Sequence, residues 1–339
     1  MILTSNEGNN RDIGSSIRTD QLKDLMLEGN ESTKSHQDKP LFILLISSIG
    51  RSGSTVVSEI LGTREKSVLF FEPLWDKKKD PCFIKTGECV PDFLKKLAHC
   101  EFEQEFEEWL RWKGLFLQFY HPQAARCFSL PSEGSGRCRR ELKLRSLCEQ
   151  SSVRMAKMIR SRLIWLESLL NDESFNVKII HLTRDPRGSL LSYRKLGWDA
   201  SSSKQCSRLY TDMKDFEKLA KFYPTKLFHL QLEALSTAPY KTLGHLFGFL
   251  YGNSTLPKRV KDFVERHMNS LRPSYGNMDT IKNSKIEFDA WRWKISVKIL
   301  RVIEKEESCR SAIGQLNHVI FGSLENATNR SLPLEKPSK

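Results

Sequence analysis

The apolar run Leu41 to Ile46 ends in "SSIGRSGST", after which Val56, Val57, Ile60 and Leu61 return at helical spacing. A run this apolar, without alternation, fits a strand buried on both faces, as strands of parallel sheets are. The glycine turn then leads into a helix starting near Ser54. Strand, tight turn and helix in that order are the repeating unit of α/β proteins. Such a turn either reverses the chain or cradles an anion, because the first helical amides are unpaired and the positive end of the helix dipole faces outward. It is not the loop of the nucleoside-triphosphate hydrolases. Only two residues separate Gly50 and Gly53, and no Lys follows.

The rest of the chain continues the alternation. Ser67 to Phe71 is expected as a short second strand stopped by Pro73. The spacing of Phe102, Phe106, Trp109, Leu110 and Lys113 places an amphipathic helix between 92 and 120, with "EFEQEFEE" as its solvated face. Residues 121–150, with Pro122, Pro131, Gly134 and Gly136, read as loop-rich. Further strands are expected over 152–158, 177–182 and 226–232. Helices are expected over 161–170, 186–196, 206–222, 239–250, 257–268 and about 288–305. The last carries Trp291, Ile295, Ile299, Val302 and Ile303 on one stripe. Strands alternating with helices imply a parallel sheet covered on both faces. No internal repeat and no clean domain linker interrupt it.

A chain of 339 residues with 39% hydrophobic content is long and apolar enough to bury a full core. Its formal charge of +13 fits either a solvated basic surface or an anionic partner, and does not choose between nucleic acid, acidic glycan and nucleotide. Eight cysteines are present without a CxxC pair or a neighbouring His cluster, which argues against zinc. Six of them fall within 82–148, as in a stapled insertion. Cys206 and Cys309, the two outside that cluster, both adjoin expected helices and are expected to pair. Sequons at Asn30, Asn253, Asn326 and Asn329, beside an even cysteine count, favour an oxidising secretory lumen. Residues 1–40 carry neither a signal peptide's apolar core nor a membrane span, so either the chain is cytoplasmic or its anchor lies outside it; the cysteines favour the second.

A second cluster, "VKIIHLTRDPRGSLLSY" at 177–193, repeats the strand-to-helix junction. Asp185 suits a helix cap and Pro186 the first helical position, leaving Arg184 at a strand's carboxyl end, where open α/β sheets collect ligands. Together, the two clusters resemble the sulfotransferases that use 3′-phosphoadenylyl sulfate, and most closely the Golgi carbohydrate 6-O-sulfotransferases acting on GlcNAc, Gal or GalNAc. The resemblance implies that Arg51, Ser52, Gly53, Ser54 and Thr55 bind the donor's 5′-phosphosulfate, and that Arg184 and Ser192 bind its 3′-phosphate. Phe71, Glu72 and Pro73 match that family's "FEP", and Trp291, Arg292 and Cys309 its late "WR" segment and following cysteine. The resemblance spans about 42–318. After "FYP" at 222–224 the chain departs from the family's "RYED", with "LQLEAL" retaining Glu233 alone, and residues 76–150 align with nothing. The implied fold is α/β, a P-loop-like three-layer sandwich with a central parallel sheet flanked by helices. The implied organisation is a flexible polar arm over 1–39, a sulfotransferase domain over 40–325 with a Cys-rich loop insertion at about 76–150, and a flexible tail over 326–339.

Sulfuryl transfer follows the logic of phosphoryl transfer, with in-line attack and catalysis by positioning and charge stabilisation. Arg51 and the amides around Gly53 would carry that stabilisation. Glu72, ending a strand in an apolar stretch, is the candidate general base for a sugar hydroxyl; otherwise it is a structural cap or a partner of Arg51. His181 reads as a packed core histidine. The stretch 137–162, with nine Lys or Arg, is either a grip for an anionic polymer or a solvated loop. The expected partners are a glycan or glycosaminoglycan acceptor in the Golgi lumen, with no metal, no nucleic acid and membrane contact only through an anchor outside the chain. A small-molecule kinase using ATP and Mg²⁺, and a non-catalytic polyanion-binding protein, are the rival readings.

Overall fold

A computed structural model describes residues 39–63, 66–112, 127, 130–174, 176–270, 281 and 283–337. The expected arm over 1–38, Lys113 and the rest of the 92–120 helix beyond 112 lie outside these residues.

Strands β1 (Leu41–Ser47), β2 (Ser67–Phe71), β3 (Val153–Met158), β4 (Asn176–Thr183) and β5 (Leu227–Gln231) form one sheet in the order β2-β3-β1-β4-β5, with every pairing parallel. β1 is central and all seven of its residues are buried. Its unbroken apolar run follows from having two faces to cover. Phe42, Leu44 and Ile46 enter one core with Leu94, Phe106 and Leu147, while Leu41, Ile43 and Leu45 enter the other with Val57, Ile60 and Leu246. Each such side chain contributes about 1.5–3 kcal/mol on burial.

Helix α1 (Ser54–Gly62) lies on the second face, beside α9 (Pro239–Tyr251). The first face carries α2 (Val90–Ala98), α3 (Gln104–Trp112), α4 (Ser132–Glu141) and α5 (Leu144–Glu149). Helices α6 (Pro186–Lys195), α7 (Ser202–Phe222), α8 (Leu232–Thr237), α10 (Val297–Lys305) and α11 (Glu307–Gln315) complete the layers. The arrangement is the central parallel sheet flanked by helices that the alternation implied.

Three sequence expectations need correction. The helix expected across 92–120 is broken: Cys100 takes a left-handed φ of 61° and is disulfide-bonded to Cys148, so Phe102 packs outside both α2 and α3. Residues 132–149, read as loop from Pro131, Gly134 and Gly136, are mostly helical; Pro131 caps α4 rather than ending structure. The helix expected over 288–305 is a 3₁₀ turn at Ala290–Trp293 followed by α10. Ser296 caps α10 by accepting from the Ile299 amide, which restarts the helical phase. The stripe shifts with it. Leu300 is buried and Val302 is 45% exposed.

All eight cysteines are paired, as Cys82–Cys89, Cys100–Cys148, Cys127–Cys138 and Cys206–Cys309. The last ties α7 to α11, as expected. The carboxyl-terminal segment, expected to be a flexible tail, is packed through residue 337. Arg292 donates to the carbonyls of Ala327, Asn329 and Leu332, and Leu334 is buried.

Next to it, Arg187 ties the start of α6 to α10 and to Val319. Its guanidinium is fully buried, paired with Asp185 at 2.7 Å and Glu304 at 2.6 Å, and it donates to the Val319 carbonyl. Trp291 and Phe321 rings lie 4.5 and 5.0 Å away. Burial alone would raise the Asp185 carboxyl, but Arg187 and His318 hold it well below the usual carboxylate range. Because its folded value is depressed, the stability from this pairing is present above the ordinary value of 3.8 and is lost as pH falls below it. Arg187→Ala would leave two buried carboxylates without their shared cation. It is expected to cost about 3–5 kcal/mol in urea unfolding; a loss under about 1 kcal/mol would contradict this account.

Candidate active site

The motif residues Arg51 to Thr55, Glu72 and Arg184 directly follow the carboxyl ends of β1, β2 and β4, and β1 has β3 on one side and β4 on the other. Ligands of open parallel sheets bind at such switches of direction. The β1–α1 turn is shaped by two left-handed residues, Arg51 with φ 64° and Gly53 with φ 85°. Gly53 caps α1 without a side-chain acceptor, and no acid lies in the first turn, so no side chain neutralises the first amides. The left-handed backbone favours glycine at 53, and a Cβ there would also stand 2.6 Å from Leu232 Cδ1 and push that side chain aside. Left-handed φ at an arginine costs about 1–2 kcal/mol and tends to be stored where function needs it. Glu72, with φ 53°, is a second such residue at the same edge.

The two sequence clusters meet directly. Arg51 Nε donates to Ser192 Oγ at 3.0 Å, and Arg184 Nη1 donates to the Arg51 carbonyl at 2.8 Å. Burial, and then the Arg184 charge, lowers the Arg51 guanidinium from its ordinary value, and burial lowers Arg184. Two like charges held this close favour an anion between them. Arg184 Nε and Ser189 Oγ are buried without hydrogen-bond partners among the described residues, so the start of α6 keeps polar capacity in hand. Gly188 makes room for this, since a Cβ there would come within 3.0 Å of Arg184 Nη2 and 2.9 Å of the Trp291 ring. The guanidinium pair, the bare helix start and these orphaned atoms fit a ligand with two separated anionic groups.

Not every motif residue faces that space. Ser52 is buried and its hydroxyl bonds Ser47 Oγ, bracing the end of β1. Ser54 is buried and Thr55 half-buried on the first turn of α1. Arg187, the second arginine of "RDPR", is the structural anchor described above. His181 is buried in β4, bonded to Ser48 Oγ at 2.9 Å and lowered to about 3 by burial and by His229, in keeping with a core histidine.

Glu72 sits in ionic rather than apolar surroundings. Its Oε1 pairs with Lys157 Nζ at 2.5 Å, and its Oε2 with Arg160 Nη1 at 2.8 Å and the Ile159 amide at 3.4 Å. Its salt bridges thus run to β3 and the loop after it. This also revises the basic stretch 137–162. Arg154 is buried against the carbonyls of Ala98 and Cys148, Lys157 and Arg160 hold Glu72, and Arg162 holds Asp212. Four of its cations are therefore committed inward.

Three further residues, to which the sequence reading gave no role, also build the site. Tyr193 accepts the Gly50 amide on its phenol oxygen at 2.7 Å. Arg208, on α7, donates to the carbonyls of Ile159 and Ser161 and so supports the loop after β3. Glu233 accepts the Asp185 amide at 2.9 Å beneath Arg184. Tyr193 was within reach of sequence reasoning, being adjacent to Ser192. Arg208 had no signal, as one charge among many on a long helix.

No family model matches the chain. It is 21% identical to carbohydrate sulfotransferase 3 of Mus musculus over 347 residues, covering 86% of this chain and 71% of that protein. It is 27% identical to carbohydrate sulfotransferase 1 of Homo sapiens over 191 residues, covering 50% and 45%. With carbohydrate sulfotransferase 4 of Mus musculus it shares 23% over 347 residues, covering 89% and 88%. Among solved structures, the sulfotransferase domain from the curacin biosynthetic pathway overlaps loosely, at TM-score 0.44 and 12% identity over 84% of this chain and 100% of that one. With relatives matched over 86–89% of its length, this α/β protein is a transferase of the sulfotransferase class. The relatives it matches are carbohydrate sulfotransferases, at 21–27% identity, and the chain is similar to that family.

Proposed function

We propose that this protein moves a sulfuryl group from 3′-phosphoadenylyl sulfate to a sugar hydroxyl, the 6-hydroxyl of GlcNAc, Gal or GalNAc in a glycan or glycosaminoglycan. The observation that carries the reading is the contact of the two clusters, Arg51 on Ser192 and Arg184 on the Arg51 carbonyl. That contact brings two cationic groups together, which supports a donor carrying a 5′-phosphosulfate and a 3′-phosphate. Arg51 and the amides of Gly53, Ser54 and Thr55 hold the 5′ side and offset charge on the leaving oxygen. Arg184 and Ser192 hold the 3′-phosphate, for which a planar guanidinium is suited.

Glu72 takes the proton of the attacking hydroxyl. A new oxygen–sulfur bond forms as the bond to the bridging oxygen breaks, leaving a sulfate ester and adenosine 3′,5′-bisphosphate. Lys157 and Arg160 keep the carboxylate in place. Four disulfides and the family's setting support a Golgi lumen location. No described helix is long and apolar enough to cross a membrane.

Thermal-shift measurement tests the reading. Adenosine 3′,5′-bisphosphate at a hundred times its dissociation constant is expected to stabilise the fold by about 2.7 kcal/mol. ATP with Mg²⁺, or RNA, should leave the midpoint unchanged. Stabilisation by ATP with Mg²⁺ alone would favour a kinase, and by RNA alone a polyanion-binding protein.

A further inference from the structure

The end of α6 decides where Trp198 goes. The Gly197 amide bonds the Arg194 carbonyl at 3.2 Å and the Trp198 amide bonds the Tyr193 carbonyl at 3.0 Å. Gly197 has φ 67°. This pair of bonds is a Schellman closure, which needs a left-handed residue and swings the next side chain back onto the last turn of the helix. Trp198 accordingly meets Tyr193, with ring centroids 5.2 Å apart and planes at 73°. At that angle Tyr193 leaves at least one indole face uncovered, and Trp198 is 41% exposed.

An exposed aromatic by itself needs no explanation. The position of this one does. The Tyr193 phenol accepts the Gly50 amide in the anion turn. A Cβ built at Gly50 would lie 2.7 Å from that phenol oxygen and 3.2 Å from Ile159 Cδ1, so Tyr193 and Ile159 close on the turn from two sides. The Ile159 amide in turn bonds Glu72. A continuous line of contacts thus runs from Glu72, past the turn, to the indole. On the Glu72 side the nearby indole, Trp75, has Lys78 and Arg160 over it at 4.2 and 4.1 Å. At the other end of that line, Trp198 is exposed and has Tyr193 as its ring partner among the described residues.

We propose that Trp198 is the platform on which the acceptor's sugar ring stacks, holding its hydroxyl toward the anion turn and Glu72. The inference rests on the sulfotransferase reading. A pyranose ring presents a face of C–H bonds that suits the negative face of an indole, while its hydroxyls point outward and keep their water or polar partners. The donor motifs provide no such surface. Their side chains are charged or small, and they suit phosphate and sulfate oxygens.

The test compares Trp198→Ala and Trp198→Phe with the wild type, using N-acetyllactosamine and desulfated chondroitin oligosaccharides as acceptor probes. The alanine variant is expected to raise the acceptor KM by about tenfold or more, with adenosine 3′,5′-bisphosphate affinity within twofold of wild type. The phenylalanine variant should recover most of the loss. With bisphosphate bound, titrating the oligosaccharides should change the tryptophan fluorescence of the wild type, and that change should vanish in Trp198→Phe. An acceptor KM within twofold of wild type in the alanine variant overturns the proposal. So does a KM rise that comes with a matching loss of thermal stability and no rescue by Phe, because Trp198 would then only close the helix. A wild type that binds no bisphosphate sinks the sulfotransferase reading itself, before the variants are compared.

Discussion

Alanine at Arg184 is expected to weaken binding of adenosine 3′,5′-bisphosphate by about 10- to 150-fold, the equivalent of the 1.5–3 kcal/mol typical of a hydrogen bond to a charged group. Arg51→Ala should do the same. Neither change should unfold the protein. Arg51 stands beside the Arg184 charge, so removing it relieves repulsion in the ligand-free protein, whereas Arg184 also faces the carboxylates of Glu233 and Asp185. The diagnostic result is a pair of folded variants whose melting midpoints no longer rise with ligand as that of the wild type does. Calorimetric affinities within twofold of wild type for both would remove the basis of the donor site.

Glu72→Gln carries the second large effect. The substitution keeps size and hydrogen-bonding shape, so the donor should remain bound, while turnover falls by roughly 10²–10⁴-fold as expected for loss of a positioned base. The salt bridges make the outcome informative. If Glu72 acts only by holding Lys157 and Arg160, those two cations lose their shared carboxylate, and donor affinity changes instead of turnover. Measuring the donor dissociation constant and the sulfation rate on the same variant separates the two roles. An unchanged rate together with an unchanged donor affinity excludes both.

What could be read from sequence follows from how local each feature is. The strand–turn–helix at 41–62 was legible because apolar periodicity and glycine chemistry are properties of neighbouring residues. The same holds for Asp185 and Pro186 at the start of α6. The contact between Arg51 and Ser192 was not legible, because it depends on β1 and β4 being neighbours, and strand order leaves no mark on composition. The environment of Glu72 was misjudged for a related reason. Phe70, Phe71 and Leu74 surround it in sequence, but its partners come from β3 and the loop behind it. Helix breaks at Cys100 and Ser296 were missed where a disulfide or a cap overrode a continuous apolar stripe.

The strand order also bears on how the chain is made. β2 pairs with β3 alone, and β1 pairs with β3 and β4. During synthesis the two most apolar strands of the amino-terminal half emerge with no partner, and β3 is the keystone that closes both gaps. Any fragment that stops short of Val153, through proteolysis or premature termination, leaves two greasy strands with no partner at all. Such fragments should be insoluble, whereas a break in the exposed loop between Gly252 and Pro257 leaves all five strands in register.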